Sequence, residues 1–367
     1  MQFGLSESQE FLKDSARKFF AGECPSAEVR RLIETNTAYD ADLWSKLTEQ
    51  GYTGIIFPEE YGGVGLGKIE LMLLMEEAGR ALLPGPFFST VVLAGSVLDA
   101  VATPAHKKQY LAPICRGEVR ATVALVEDSA NWDLKSIEMN ATSGKLTGEK
   151  FFVPDAAIAD ILIVVARDGV FVVNSRARGL KISPMHGMDL TRKLYVVEFS
   201  DTPAEKIAVN SGLSRAFDIA TAALAAELVG GMQRTLDITV EYAKTRKQFG
   251  KPIGMFQAVQ HQCADMYLET ESSRSAVYYA GWALEENSPD ASAAVSIAKM
   301  YASDAARTVG NRGIQIHGGM GFTWENDVHL YYRRAKASET AFGDATFHRE
   351  RIACTVIDSA TISAKSA

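Results

Sequence analysis

A chain of 367 residues that is 47% hydrophobic and 9% aromatic carries the material for a large buried core and is too long for one typical domain. Its 38 Lys+Arg against 45 Asp+Glu leave a net charge of -7, which gives no electrostatic reason to bind nucleic acid or an anionic membrane. The 17 Phe, 12 Tyr and 4 Trp exclude a solvated, disordered chain.

In chain order, the start MQFGLSESQEFLKD has no basic segment leading into an apolar one, so no secretory signal is read. Ser6 with Gln9 reads as a capping box opening a helix whose apolar face carries Phe11, Leu12, Phe19 and Phe20. FPEEYGGVGLG reads as a loop, and Ile69–Leu83 as a second helix stopped by Pro84-Gly85-Pro86. Near residue 121 the pattern changes. Ala121–Val126, Lys150–Val153, Ile161–Ala166, Val170–Asn174 and Leu194–Phe199 are short β-type runs, with Asp168-Gly169 as a hairpin signal between two of them. From about Ser214 long helices return. Leu224, Leu228, Met232, Leu236 and Val240 recur every four residues, and Val259, Cys263, Met266, Thr270, Ser273 and Val277 form a second stripe. The pattern predicts an α+β chain: a helical domain over 1–120, a mostly antiparallel β domain over 121–206 and a helical bundle over 207–367. The tail SATISAKSA reads as frayed.

The cysteines, Cys24, Cys115, Cys263 and Cys354, are scattered without a C-x-x-C, which points to neither disulfides nor zinc and fits a reducing compartment. No apolar run approaches the ~20 residues that span a bilayer. A soluble, cytoplasmic protein is expected.

Two segments carry chemistry. In Tyr242-x-x-x-Arg246-x-x-Phe249-Gly250-x-Pro252-Ile253-x-x-Phe256-Gln257, Arg246 lies at a helix end beside a Gly/Pro loop that opens the next helix. A guanidinium fork beside helix N-terminal amides suits a diphosphate. The same Lys244, Arg246 and Lys247 also read as a basic last turn complementing the helix dipole. In Gln315-Ile316-His317-Gly318-Gly319-Met320-Gly321-Phe322, paired glycines after a helix let a backbone or flat ligand approach, and His317 reads as a packed histidine. This is not G-x-G-x-x-G, and no βαβ unit surrounds it.

With PEEYGG and GEKFFVPDAAIADILIVVA ahead of them, these segments form an ordered set that resembles the acyl-CoA dehydrogenase family over nearly the whole chain. The resemblance implies an α–β–α subunit with a C-terminal four-helix bundle, a tetramer holding FAD between subunits, an acyl-CoA substrate and a flavoprotein electron acceptor. Arg246 resembles the arginine on the FAD pyrophosphate of the neighbouring subunit. Phe249 and Gln257 match positions lining the adenosine-diphosphate half, and Gln315, Gly318 and Gly319 match the loop that completes it. The family's T-E-x-x-x-G-S-D, which supports the flavin ring, stands here as Val126-Glu127-Asp128-Ser129-Ala130-Asn131-Trp132-Asp133, with a bulky Trp132 where close approach is required.

The base is also absent. Y-E-G-T-x-x-x-x-R stands here as Ala341-Phe342-Gly343-Asp344-Ala345-Thr346-Phe347-His348-Arg349, which puts Phe342 at the glutamate position. A phenyl ring accepts no proton. The alternative placement on the preceding helix falls on Ala220 and Thr221. Asp344 and Glu227 are the carboxylates that could substitute, but Asp344 reads first as a helix N-cap or a partner of His348 or Arg349. Keeping the adenosine-diphosphate motifs while losing the base resembles the non-catalytic partner in α2β2 acyl-CoA dehydrogenases, where a paralogous subunit supplies the glutamate. The competing expectations are a self-sufficient homotetramer using a displaced carboxylate and a flavin-free scaffold subunit.

Overall fold

The computed structural model describes residues 4–358; SATISAKSA lies outside them. The helices are α1 (Glu7–Glu23), α2 (Ser26–Ile33), α3 (Ala41–Glu49), α4 (Lys68–Arg80), α5 (Ser96–Val101), α6 (Pro104–His106) and α7 (Ala112–Cys115). Strands β1 (Ala121–Ala124), β2 (Ala141–Thr142), β3 (Lys145–Pro154), β4 (Ile161–Ala166), β5 (Gly169–Asn174), β6 (Leu180–Met185), β7 (Leu194–Pro203) and β8 (Glu205–Ala208) follow. Then come α8 (Leu213–Thr245), the two-residue strands β9 (Lys247–Gln248) and β10 (Lys251–Pro252), α9 (Gln257–Glu285), α10 (Ala291–His317), α11 (Val328–Thr340) and α12 (Ala345–Ala353). Helical start, β middle and helical end follow the expected order.

Compactness divides the chain into two units that are discontinuous in sequence, with one boundary inside α8 after Ala220. One unit gathers the residues up to Ala27, Lys68–Leu83 and Thr221 onward. Here α1 starts with the capping box read from Ser6 and Gln9. Phe20 is buried, but Phe11 is 74% exposed, so the apolar face of α1 is narrower than expected. Every residue from Leu71 to Gly79 of α4 is buried, Glu76 and Glu77 included. Those carboxylates are tolerated because each is paired: Glu76 accepts from Lys13 Nζ (3.0 Å), Arg274 Nε (3.1 Å) and the Tyr278 hydroxyl (2.7 Å), while Glu77 takes Arg17 through two bonds. Helices α4 and α8 touch backbone to backbone. A β-carbon on Gly79 would lie 2.0 Å from the Glu227 carbonyl oxygen, and one on Gly230 would lie 1.8 Å from that of Glu76.

The second unit comprises Glu28–Gly67 and Pro84–Ala220 and holds two four-stranded sheets, ordered β1-β4-β5-β8 and β2-β3-β7-β6. All of their pairings are antiparallel except β1 with β4, which is parallel. Leu146, Val153, Leu162, Val164, Phe171, Val173, Val197 and Phe199 fill a common core. The expected hairpin forms between β4 and β5 with Ala166 opposite Gly169, so Arg167-Asp168 make the turn. Phe87–Gly95 is a fully buried nine-residue π-helix, a form rare beyond a single turn. Among the described residues no helix is long and apolar enough to cross a membrane.

Candidate functional site

The last turn of α8 carries Tyr242, and the Arg246 amide continues the helical ladder by donating to the Tyr242 carbonyl at 2.8 Å. Beyond it, β9 and β10 pair as a hairpin with Gln248 opposite Lys251. Its two loop residues, Phe249 (φ 53°) and Gly250 (φ 79°), both sit in the left-handed region, the signature of a type I′ turn. Glycine takes that conformation freely, whereas phenylalanine carries a cost of about 1–2 kcal/mol. The strained backbone holds the Phe249 ring 92% exposed at the hairpin tip. The Ile253 amide donates to the Arg246 carbonyl at 2.8 Å and returns the chain to the start of α9, where Gln257 is exposed. No side chain caps this 29-residue helix and no acidic residue sits in its first turn, so its positive end is open to an anion.

The second segment ends α10. His317 is buried, and Gly318 adopts φ 61°, ψ −139°, which only glycine takes without strain. Nothing lies within 4 Å of where a β-carbon would sit on Gly318 or Gly319. Gln315 is exposed one turn back. The Tyr242 and His317 rings stack with centroids 4.4 Å apart and planes 25° apart, which brings the two segments together. The His317 Nδ1 lies 2.8 Å from the Gly313 carbonyl and therefore carries the ring proton; burial holds its pKa below the ordinary value. The reading of His317 as a packed histidine agrees with this. An exposed guanidinium, an uncapped helix start, an open glycine pair and a presented phenyl ring suit the pyrophosphate and adenosine portions of a dinucleotide.

The stretch expected to align with the base carries an apolar side chain, Phe342. Phe342 is 9% exposed and left-handed (φ 59°), followed by Gly343 at φ 95°. Two buried side chains clamp the turn from below. His348 Nε2 lies 3.1 Å from the Phe342 carbonyl, and Lys299 Nζ donates at 3.0 Å to the Gly343 and Glu339 carbonyls and to Ser303 Oγ. Burial pushes the Lys299 amine down to about 7, and burial with the Lys299 and Arg351 charges pushes His348 down to about 3. Lys299 carried no motif that marked it, since a lone lysine in a helix reads as surface.

Both candidate carboxylates have structural partners. Asp344 is the exposed N-cap of α12, its Oδ1 accepting from the Phe347 amide at 2.8 Å, as one of the two readings anticipated. Glu227 is buried and ion-paired with Arg334, lining a narrow cavity with Met232, Val309 and Tyr331. Ala220 and Thr221 are buried and carry no basic group. In the β unit, Glu127 is equally committed. It accepts from the fully buried Lys150 at 2.8 Å and from the Glu138 and Met139 amides. Burial alone would raise its pKa, but these donors hold it below the usual carboxylate range. Trp132 is half-buried, and Asp133 caps a short turn through the Lys135 amide. Among the described residues no cluster of His, Cys, Asp and Glu could hold a metal ion, and none of the four cysteines is in a disulfide.

Residues 6–118 match the model of the acyl-CoA dehydrogenase N-terminal domain, and residues 212–357 that of the C-terminal domain. The chain is 34% identical over 334 residues to the acyl-CoA dehydrogenase IpdE2 of Mycobacterium tuberculosis, covering 90% of this chain and 92% of that one. Among solved structures it resembles the Tcur3481-Tcur3483 steroid acyl-CoA dehydrogenase (TM-score 0.88, 30% identity, 97% and 99% coverage). It also resembles the ChsE4-ChsE5 complex of M. tuberculosis (TM-score 0.89, 27% identity, 96% and 98% coverage). Motif order, fold and these likenesses agree: the chain belongs to the acyl-CoA dehydrogenase family.

Proposed function

We propose that this chain is the base-lacking subunit of a heteromeric, FAD-dependent acyl-CoA dehydrogenase. In this reading Arg246, Phe249, Gln257, Gln315, Gly318 and Gly319 hold the adenosine-diphosphate half of an FAD whose flavin ring belongs to a paralogous neighbour. The observation that carries the reading is an asymmetry. Arg246, Phe249, Gln257, Gln315, Gly318 and Gly319 are exposed, while Phe342 is buried at the position the motif alignment gives to the base, Asp344 caps a helix and Glu227 pairs with Arg334. An FAD held there would supply the acceptor for the β-hydride of the acyl thioester, and the α-proton would go to a carboxylate that the partner supplies. This chain's part is to bind and orient: the Arg246 fork neutralises pyrophosphate charge, and the open glycine loop lets the dinucleotide approach the backbone. The similar ChsE4-ChsE5 structure is a complex and the Tcur3481-Tcur3483 protein is a steroid acyl-CoA dehydrogenase, which supports both the pairing and a bulky CoA thioester as substrate class. Electrons would leave to an electron-transferring flavoprotein.

The test is flavin content. The chain purified alone is expected to hold little FAD. Co-expressed with a paralogue that carries the Y-E-G-T glutamate, it is expected to form a stable complex with about one FAD per pair of chains. One FAD per chain in a homotetramer of this protein alone would refute the reading.

A further inference from the structure

We propose that Tyr242 and His317 form a positioning pair that sets the separation of Arg246 from the Gly318–Gly319 loop, and through it the affinity for the dinucleotide. The inference rests on the reading above that those residues hold the adenosine-diphosphate half of FAD.

Helices α8 and α10 pack closely over their last three turns. A β-carbon on Gly313 would come within 2.7 Å of Thr235 Cγ2 and 3.4 Å of Thr239 Oγ1, so the threonine side chains of α8 pack directly over the glycine of α10. One turn further on, the Tyr242–His317 stack is the contact between the two helix ends. The geometry is held at both rings. His317 is 3% exposed, and its Nδ1–H bond to the carbonyl of Gly313 fixes both the tautomer and the ring plane. Tyr242 Oη reaches the His317 carbonyl at 3.5 Å, a long contact that adds little beside the stacking. On the α8 side, Tyr242 is tied to Arg246 by the 2.8 Å bond between its carbonyl and the Arg246 amide. On the α10 side, Gly318 follows His317 directly. Beyond the stack the chain runs into a two-residue hairpin turn on one side and a glycine pair opening a 3-10 turn on the other. Without the stack, the donors on the two ends would have to be ordered at the moment of binding, and that ordering is subtracted from affinity.

The experiment uses the FAD-containing assembly stripped of flavin, with affinities for FAD and for ADP measured by fluorescence quenching and calorimetry. Tyr242→Phe keeps the ring and is expected to bind both ligands within about threefold of the parent, since the long hydroxyl contact adds little. Tyr242→Leu and His317→Gln remove one ring each and are expected to weaken both ligands by about five- to tenfold, the upper part of the range an aromatic pair is worth. ADP must lose as much as FAD, because the effect lies in the diphosphate half. The decisive readout is coupling. If the stack acts by placing Arg246, Tyr242→Leu introduced into Arg246→Ala should cost far less than it does in the parent. Full additivity of the two losses, or parental affinity in both ring-removing variants, would overturn the proposal. Should Tyr242→Leu fail to assemble, His317→Gln with its own Arg246→Ala double variant carries the same test. A parental affinity in Arg246→Ala alone would overturn the underlying reading instead.

Discussion

Asp344 is the side chain on which the two enzyme readings part. In the structure its Oδ1 accepts the Phe347 amide at 2.8 Å as the N-cap of the nine-residue helix α12, and the side chain is exposed. Asparagine caps as well as aspartate, whereas alanine cannot cap, so a cap and a base respond differently to the same two substitutions. Asp344→Ala removes the bond and should cost about 1 kcal/mol, the middle of the range for an N-cap, because the freed amide is exposed and water satisfies it in part. In a unit of this size that corresponds to a fall in Tm of about 2–4 °C. Asp344→Asn keeps the cap and should leave Tm unchanged. The assay is thermal unfolding of each variant alongside acyl-CoA-driven flavin reduction by the assembled complex. On the cap account, Asp344→Asn reduces flavin at the parental rate. Loss of reduction in Asp344→Asn with an unchanged Tm and intact FAD would refute it and make Asp344 the base.

Arg246→Ala should weaken FAD retention by about ten- to hundred-fold, the value of one charge-assisted hydrogen bond, as read by flavin release on dilution. Lys299 gives a pH dependence. Its amine is held at about 7 against an ordinary 10.5, so between these values the unfolded chain binds a proton that the folded chain does not, and stability should rise with pH across that window. Urea midpoints at pH 7 and pH 9 should therefore differ more in the parent than in Lys299→Met, and equal differences would count against the buried-amine assignment. Gly230→Ala should prevent folding or destabilise by several kcal/mol, because its new methyl would sit 1.8 Å from the Glu76 carbonyl oxygen in a backbone contact that cannot yield locally. Soluble expression with a parental melting curve would contradict that contact.

Much of the fold is legible from local signals. The Ser6–Gln9 capping box, the β4–β5 hairpin and the long helices α8 and α9 all answer to propensity, capping and periodicity within a few residues. Strands β6 and β8 escaped notice because their exposed and half-buried residues include Lys181, Pro184, Glu205 and Lys206, which blur a two-residue alternation. The burial of Glu76, Lys150 and Lys299 was equally hidden. Each is a charged residue whose partners lie far away in sequence or on another element, so nothing local distinguishes it from a solvated side chain. Phe11 shows the converse: its position on α1 fits an apolar stripe, yet nothing packs over it. At the candidate site the motif positions were readable. The stack that joins the two segments was not, because Tyr242 and His317 are 75 residues apart.

The central claim is that this chain lends its dinucleotide-binding face to a partner and carries no base of its own. Anaerobic bleaching of flavin absorbance by a panel of acyl-CoA thioesters, short-chain to steroid-sized, measures that most directly. The account predicts no bleaching with this chain alone, even with FAD added. It predicts bleaching by the complex with its paralogue, abolished when the partner's glutamate is changed to glutamine. Sustained turnover by this chain without a partner would contradict it.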